Sequence, residues 1–394
     1  VRLVIDGGPS ENTHRTRGIG TVARELLEAL TPELGARHGF DVSYLRRRVA
    51  PSVRSHWHRR SWPAELSGAG LQLPLRLVDW WQPVDVATAL TWDIQRAHAD
   101  VYLAIDPRAI PVSRAYATVA FIHDFVPLLW PEKYLTQRWL GLPTALWYSR
   151  LRRLKRADWW VAVSEATKQD AVRLAGMDPD RITVAPHGVD QRLFRAIDPA
   201  AARATVAERF GVTRPYVFFA GANDPRKNLS TLLEAHDPEM ADLVVVGQDA
   251  PAESPRGVHW LGTVETADLP WLYAGAVAFA FPTLYEGFGL PVLEAMACGT
   301  PVVTSKLSSI PEVTGDAAVY CDPLDARALR EALHRVVNDE ALRHTLRTCG
   351  LLRAARFTWS RTASLVLDAC RAGAERRSRV PLAPLAHKDG GGDR

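Results

Sequence analysis

Short apolar runs recur along the chain, each followed by a polar or Gly-rich loop and then by a stretch with helical spacing. Residues 1–5 read as a buried strand, residues 7–20 as a loop, and residues 21–30 as an amphipathic helix with Val22, Leu26, Leu27 and Leu30 on one face. The runs at 101–105, 118–122, 159–163 and 182–185 continue the series, and residues 50–85, rich in Trp, Arg and Pro, interrupt it. A second cycle follows: strands at 216–220 and 243–246, a short one ending at Trp260, then 276–281 and 301–304, with a helix opening at 230–235. Strands alternating with helices predict parallel sheets with helical crossovers. Two such cycles with a break between them predict an α/β protein of two facing, doubly wound domains. They cover residues 1–190 and 214–375, with a linker at 191–213 and a disordered tail at 376–394. Ligands of such sheets sit beyond the carboxyl ends of the strands.

Composition agrees with this division. A chain of 394 residues exceeds one ordinary core. Its 47% hydrophobic and 23% charged content is that of a globular protein. No apolar run approaches the roughly 20 residues needed to span a bilayer, and the opening residues read as a strand, not a signal peptide. Cys298, Cys321, Cys349 and Cys370 are too scattered for a zinc site or a disulfide framework, so a reducing cytoplasm fits. Asp178-Pro179-Asp180 has the spacing of a metal-binding pair but precedes a strand, so it reads as a turn and no metal is expected. The net charge of +4 is uneven: residues 1–170 hold 23 Lys/Arg against 17 Asp/Glu. A basic first half is compatible with an anionic partner, whether the inner face of a membrane, a lipid-phosphate acceptor or a phosphorylated sugar; a solvated surface explains it equally.

Candidate chemistry centres on two glutamates, Glu286 and Glu294, seven residues apart across a stretch with two glycines and a proline. The pattern predicts a loop running into a helix near Leu290 or Pro291, with Glu294 in the first turn. Amides at such a helix start hold phosphate, and carboxylates accept hydrogen bonds from sugar hydroxyls. Arg226 and Lys227, in a loop between a strand and a helix, place fixed positive charge where a diphosphate can lie. Alone they would read as an exposed turn; beside the glutamate stretch they point to a nucleotide sugar. Arg17-Gly18-Ile19-Gly20 allows close backbone approach to a phosphate, but lacks the third glycine of a dinucleotide site. His123-Asp124 ends a strand, where a His–Asp pair is more often structural. Ser164 reads as a helix cap. Residues 145–156 form a basic amphipathic segment suited either to anionic lipid or to packing on its apolar stripe.

These motifs together resemble the retaining glycosyltransferases of family 4, which have the GT-B fold of two facing Rossmann-like domains. The glutamate stretch continues into Ala295-Met296-Ala297-Cys298-Gly299-Thr300-Pro301-Val302-Val303, which is similar to that family's most specific signature. Pro225-Arg226-Lys227-Asn228, Leu261-Gly262-Thr263-Val264 and Ile310-Pro311-Glu312-Val313 match further segments, and His187-Gly188-Val189-Asp190 matches more loosely. The resemblance implies donor ribose on Glu294, donor sugar near Glu286 and His123, diphosphate on Arg226 and Lys227, backbone contacts from Phe288, Gly289 and Leu290, and a close approach at Gly18. Gly221-Ala222 departs from the usual Gly-Arg, which would leave the arginine's phosphate role to Arg226, and His187 replaces a more usual asparagine. The implied activity is transfer of a hexose from a nucleotide-diphosphate donor, GDP-mannose favoured, to a hydroxyl of a glycan or lipid-linked acceptor in polysaccharide assembly, with no cofactor and no nucleic acid partner. A nucleotide-sugar epimerase and a non-catalytic partner subunit are the alternatives.

Overall fold

The computed structural model describes residues 1–8, 18–45, 85–111, 115–135, 142–222 and 224–379. The first sheet contains β1 (Arg2–Asp6), β2 (Asp41–Leu45), β3 (Val101–Ala104), β4 (Ala117–Ile122), β5 (Trp159–Ala162) and β6 (Ile182–Val184). The second contains β7 (Tyr216–Ala220), β8 (Asp242–Val246), β9 (Val258–Trp260), β10 (Ala278–Phe281), β11 (Val302–Ser305) and β12 (Ala318–Cys321). All pairings are parallel, in the orders β2-β1-β3-β4-β5-β6 and β12-β11-β10-β7-β8-β9. Every residue of β3, β4, β7, β8 and β10 is buried. Helices cover both faces of such strands, which is why they appear in the sequence as unbroken apolar runs.

Each sheet reverses direction beside its first strand. β2 lies on one side of β1 and β3 on the other; β8 lies on one side of β7 and β10 on the other. Crevices at such reversals are the usual ligand sites of doubly wound sheets.

Several expectations shift. Residues 191–213, read as a linker, contain the helix Pro199–Phe210, which packs against the helix Leu269–Gly275 of the second domain. Asp198 caps that helix by accepting from the amide of Ala201, and Pro199 opens it. Its buried face is only Ala202 and Val206, too narrow a stripe to read as periodic. The last helix, Trp359–Arg379, runs past residue 375, where the tail was placed, and packs on β4, β5 and the helix Gly18–Ala29 of the first domain. The chain crosses back there in close contact. A Cβ on Gly188 would lie 2.2 Å from the Trp359 amide nitrogen, and Thr362 donates to the Pro186 carbonyl at 2.6 Å. Among the described residues no helix is long and apolar enough to cross a membrane.

Candidate active site

Residues 282–289 leave β10 at its carboxyl end and enter the helix Leu290–Ala297. Gly289 has φ of 103°, a conformation that favours glycine. The loop is clamped: Ser309 Oγ bonds to the carbonyls of Glu286 and Phe288, 2.9 Å from each, and the Glu286 amide donates to Ser308 Oγ at 2.9 Å. Beyond the neighbouring strand β7 lies the turn Pro225–Lys227. Its Lys227 Nζ reaches Glu286 Oε1 at 2.5 Å and stands 4.7 Å from the centre of the Phe281 ring. Thr283 Oγ1 also donates to Glu286, at 3.2 Å. Lys227 and Glu286 thus meet at the reversal between β7 and β10.

Arg226 is differently engaged. Its guanidinium donates twice to Asp224 Oδ2, at 3.0 and 2.8 Å, and Tyr134 of the first domain donates to Asp224 Oδ1 at 2.5 Å. Burial would raise the Asp224 pKa, but hydrogen bonds from Arg226 and Tyr134 outweigh it and hold the carboxyl at about 2. Burial likewise works against the Arg226 charge, and the same partnership raises its pKa above the usual arginine value.

Glu294 lies in the second turn of its helix, not the first, because the helix starts at Leu290. It is half-buried and accepts from Tyr273 Oη at 3.0 Å. Burial pushes its pKa up to about 7; Tyr273 and Lys227 pull the other way, and Glu25 of the first domain adds to the rise. Phe288 is buried, edge-on to the rings of His187 and Phe357 at 5.0 and 5.9 Å. Gly221 follows the end of β7, and its carbonyl comes so close to Gly247 that a Cβ on Gly247 would be 2.8 Å away. Gly18 opens the helix Gly18–Ala29 with open space around it, while Arg17 falls outside the described residues.

His123 ends the path from β4. Its Nε2 pairs with the Ile105 carbonyl at 2.7 Å, and burial lowers its pKa, favouring the neutral ring. Its own carbonyl oxygen packs against Gly287 so tightly that a Cβ there would come within 1.9 Å. His187 sits between His123, Phe288 and Trp359, with Nδ1 buried and unpartnered, and burial holds its pKa well below the usual value.

Sequence reasoning missed the contacts that join the two carboxyl edges. Ser164 caps the helix Glu165–Ala175, as expected, but its hydroxyl also donates to the Gly287 carbonyl at 2.7 Å, as Thr167 does at 3.1 Å. The Glu312 carboxylate accepts from the amides of Glu165 and Ala166, both at 2.7 Å. Tyr285 donates to Asp170 at 2.8 Å. Asp178 accepts from the Asp180 amide in the short 3-10 turn Pro179–Arg181. Among the described residues no group of three or more His, Cys, Asp or Glu side chains is placed to hold a metal.

Two family models match the chain: glycosyltransferase family 4 over residues 16–193 and glycosyl transferases group 1 over residues 214–339. The chain belongs to family 4 of the glycosyltransferases. The family 4 chain is 28% identical over 294 residues to the serotype-specific mannosyltransferase WbdA of Escherichia coli, covering 69% of this chain but only 35% of WbdA. Against the O-antigen chain mannosyltransferase B of Escherichia coli it is 29% identical, covering 68% of this chain and 74% of that one. Sucrose-phosphate synthase from Thermosynechococcus elongatus superposes with a TM-score of 0.66 at 22% identity, over 92% and 96% of the two chains. Anabaena HepE in complex with UDP-glucose gives 0.64 at 18% identity, over 96% and 100%. The architecture is therefore the two-domain GT-B fold.

Proposed function

We propose that this family 4 protein transfers a hexosyl group from a nucleoside diphosphate sugar to a hydroxyl acceptor, with retention at the anomeric carbon and without a metal. The observation that carries the reading is the meeting of Lys227 and Glu286 at the reversal of the second sheet, with Glu294 on the next helix. The donor diphosphate lies against Lys227, whose ammonium stabilises the charge that grows on the β-phosphate as the sugar departs. Arg226, forked onto Asp224 as Lys227 is paired with Glu286, adds positive potential beside it. Glu294 accepts from the ribose hydroxyls. Glu286 and His123 border the sugar, and a neutral His123 suits contact with an uncharged hydroxyl. The leaving phosphate oxygen takes the acceptor proton on the same face of the sugar, so the protein supplies position and charge.

The names of WbdA and the O-antigen chain mannosyltransferase B favour mannose as the sugar, hence GDP-mannose as donor, with a glycan or lipid-linked acceptor on the cytoplasmic side. That HepE was solved with UDP-glucose supports a nucleotide sugar in a cleft of this fold. Lys227→Ala is expected to lower turnover at least tenfold, about 1.4 kcal/mol of transition-state stabilisation. Turnover within twofold of wild type, in a variant that still folds, overturns the diphosphate placement. Sugar released or isomerised without any acceptor would point to an epimerase instead.

A further inference from the structure

The first sheet has its own reversal, between β1 and β3, and charged side chains gather in the segment that follows β3. Asp106, just beyond β3, is buried and bonded to Arg108, whose Nε lies 3.0 and 2.9 Å from its two oxygens. Arg150, on the helix Leu142–Leu154, lies within electrostatic range of Arg108, Asp106 and Arg153. Arg150 and Arg153 are three residues apart and so share a helix face. Both are half-buried. Arg153 Nε is buried with no hydrogen-bond partner, and among the described residues neither arginine has an ion pair. His123, also within electrostatic range of Asp106, is held neutral by burial and adds no compensating charge.

Arg108 thus takes up the Asp106 carboxylate, while Arg150 and Arg153 add two guanidinium groups without an ion pair among the described residues, in a partly desolvated setting. Unpaired charge in such a place is destabilising by itself. Arg153, in the last turn, gains from the helix dipole, but that does not satisfy its Nε or the charge of Arg150. A phosphate monoester carries a charge of about −1.5 to −2 near neutral pH and offers three acceptor oxygens, which suits two forked cations. We propose that Arg150 and Arg153, beside the Asp106–Arg108 pair, form a second phosphate subsite that holds a phosphate group carried by the acceptor. The word acceptor rests on the transferase reading above; the subsite does not. The phosphate is borne either by a soluble sugar phosphate or by a lipid-linked diphosphate, and the chemistry recognised is the same.

The test uses the full chain with GDP or UDP, whichever stabilises it, present at saturation so that the donor position is filled. Melting temperature is followed on adding sodium phosphate, against sodium chloride at equal ionic strength. Phosphate is expected to raise it beyond the chloride control. Arg150→Met is expected to melt at or above the wild-type temperature without phosphate, since an unpaired cation is gone. It should lose the phosphate-dependent rise and keep the nucleotide-dependent one. No phosphate-dependent rise in wild type, with the nucleotide rise present, overturns the subsite alone. An Arg150→Met variant that melts lower yet keeps its full phosphate response also overturns it, because the arginine is then structural. A phosphate response without any nucleotide response leaves the subsite standing and removes the transferase reading. Should Arg150→Met fail to fold, Arg150→Lys must fold and weaken the apparent phosphate affinity at least threefold; unchanged affinity is again fatal. Glucose 6-phosphate and geranyl diphosphate, compared in the same assay, assign the source by the larger shift.

Discussion

At the carboxyl edge of the second sheet each cation already has an acid: Lys227 stands 2.5 Å from Glu286, and Arg226 is forked onto Asp224. At the corresponding edge of the first sheet, Arg108 is bonded to Asp106, and Arg150 and Arg153 have no ion pair among the described residues. The two sites sit at equivalent reversals of related sheets, so topology does not distinguish them; charge balance does. The paired side has loops clamped by Ser308 and Ser309 and is arranged before any ligand arrives. Preorganised charge of that kind stabilises a transition state without reorganisation. On the arginine side, under the proposed phosphate subsite, the surplus charge is met only when an anion binds. On the proposed function, the second domain would act as a fixed donor template and the first as the part completed by its substrate.

The sharpest way to break this contrast is to force the two edges apart. Gly287 is where they touch, and a methyl group there would sit 1.9 Å from the His123 carbonyl oxygen, a backbone atom that cannot swing aside. Gly287→Ala is expected to destabilise the domain contact by about 3 kcal/mol, the upper end for overpacking. Turnover should fall by more than about 100-fold, since misplacing groups across a cleft removes the benefit of orientation. Steady-state kinetics together with calorimetric melting check this. Activity within threefold of wild type would mean that the closed contact is not the working one.

What could be read from the sequence divides along the same line. The central strands were visible because burial on both faces leaves no alternation, and the start of the helix at Leu290 was visible from Gly289 and Pro291. β2 and β12 were not; both are edge strands with several half-buried positions and a weak apolar signal, although β9, half-buried throughout at the opposite edge of the second sheet, was. The helix Pro199–Phe210 hid behind a face of alanine and valine, although Asp198 and Pro199 mark its start. Tyr134 and Asp224 are 90 residues apart, and Glu312 and Ala166 are 146 apart. No local pattern announces either contact, because each residue meets its partner only once both domains have folded. The arginine surplus shows in the sequence only as a basic segment, since which charges face inward depends on how the helix Leu142–Leu154 is rotated against the sheet.

A milder perturbation loosens the contact without blocking it. Glu312 lies on the helix Ile310–Thr314 of the second domain, yet its carboxylate satisfies two amides at the start of a first-domain helix. Such amides have no intrahelical acceptor, and the loss of a cap typically costs about 1 kcal/mol. Glu312→Ala is expected to lower stability by about 1–2 kcal/mol, more than an ordinary surface change, because two donors lose a charged partner. It should also enlarge the radius of gyration measured by small-angle scattering, as the domains separate more often. An unchanged radius with lowered stability would make Glu312 a local cap and not a domain latch.

The smallest expected effect tests the proposed donor template itself through an acid whose pKa burial raises. Burial pushes the Glu294 pKa up to about 7 from an ordinary 4.5. The folded protein keeps this proton where the unfolded chain has released it. The associated stability is therefore fully present below about pH 4.5 and is lost as pH rises through about 7. A carboxylate accepts from two ribose hydroxyls, whereas the acid form spends one oxygen on its own proton. Nucleotide affinity should accordingly tighten about tenfold between pH 6 and 8, as the ionised fraction grows by that factor, or about 1.4 kcal/mol. The β-phosphate of the nucleotide titrates in the same range, but it does so equally in any variant. Glu294→Gln thus isolates the side chain: by titration calorimetry its affinity should vary less with pH than wild type, by about that tenfold factor. Parallel pH profiles for the two proteins would place Glu294 away from the ribose, and the carboxylate would then belong to the packing of Tyr273 and not to the substrate.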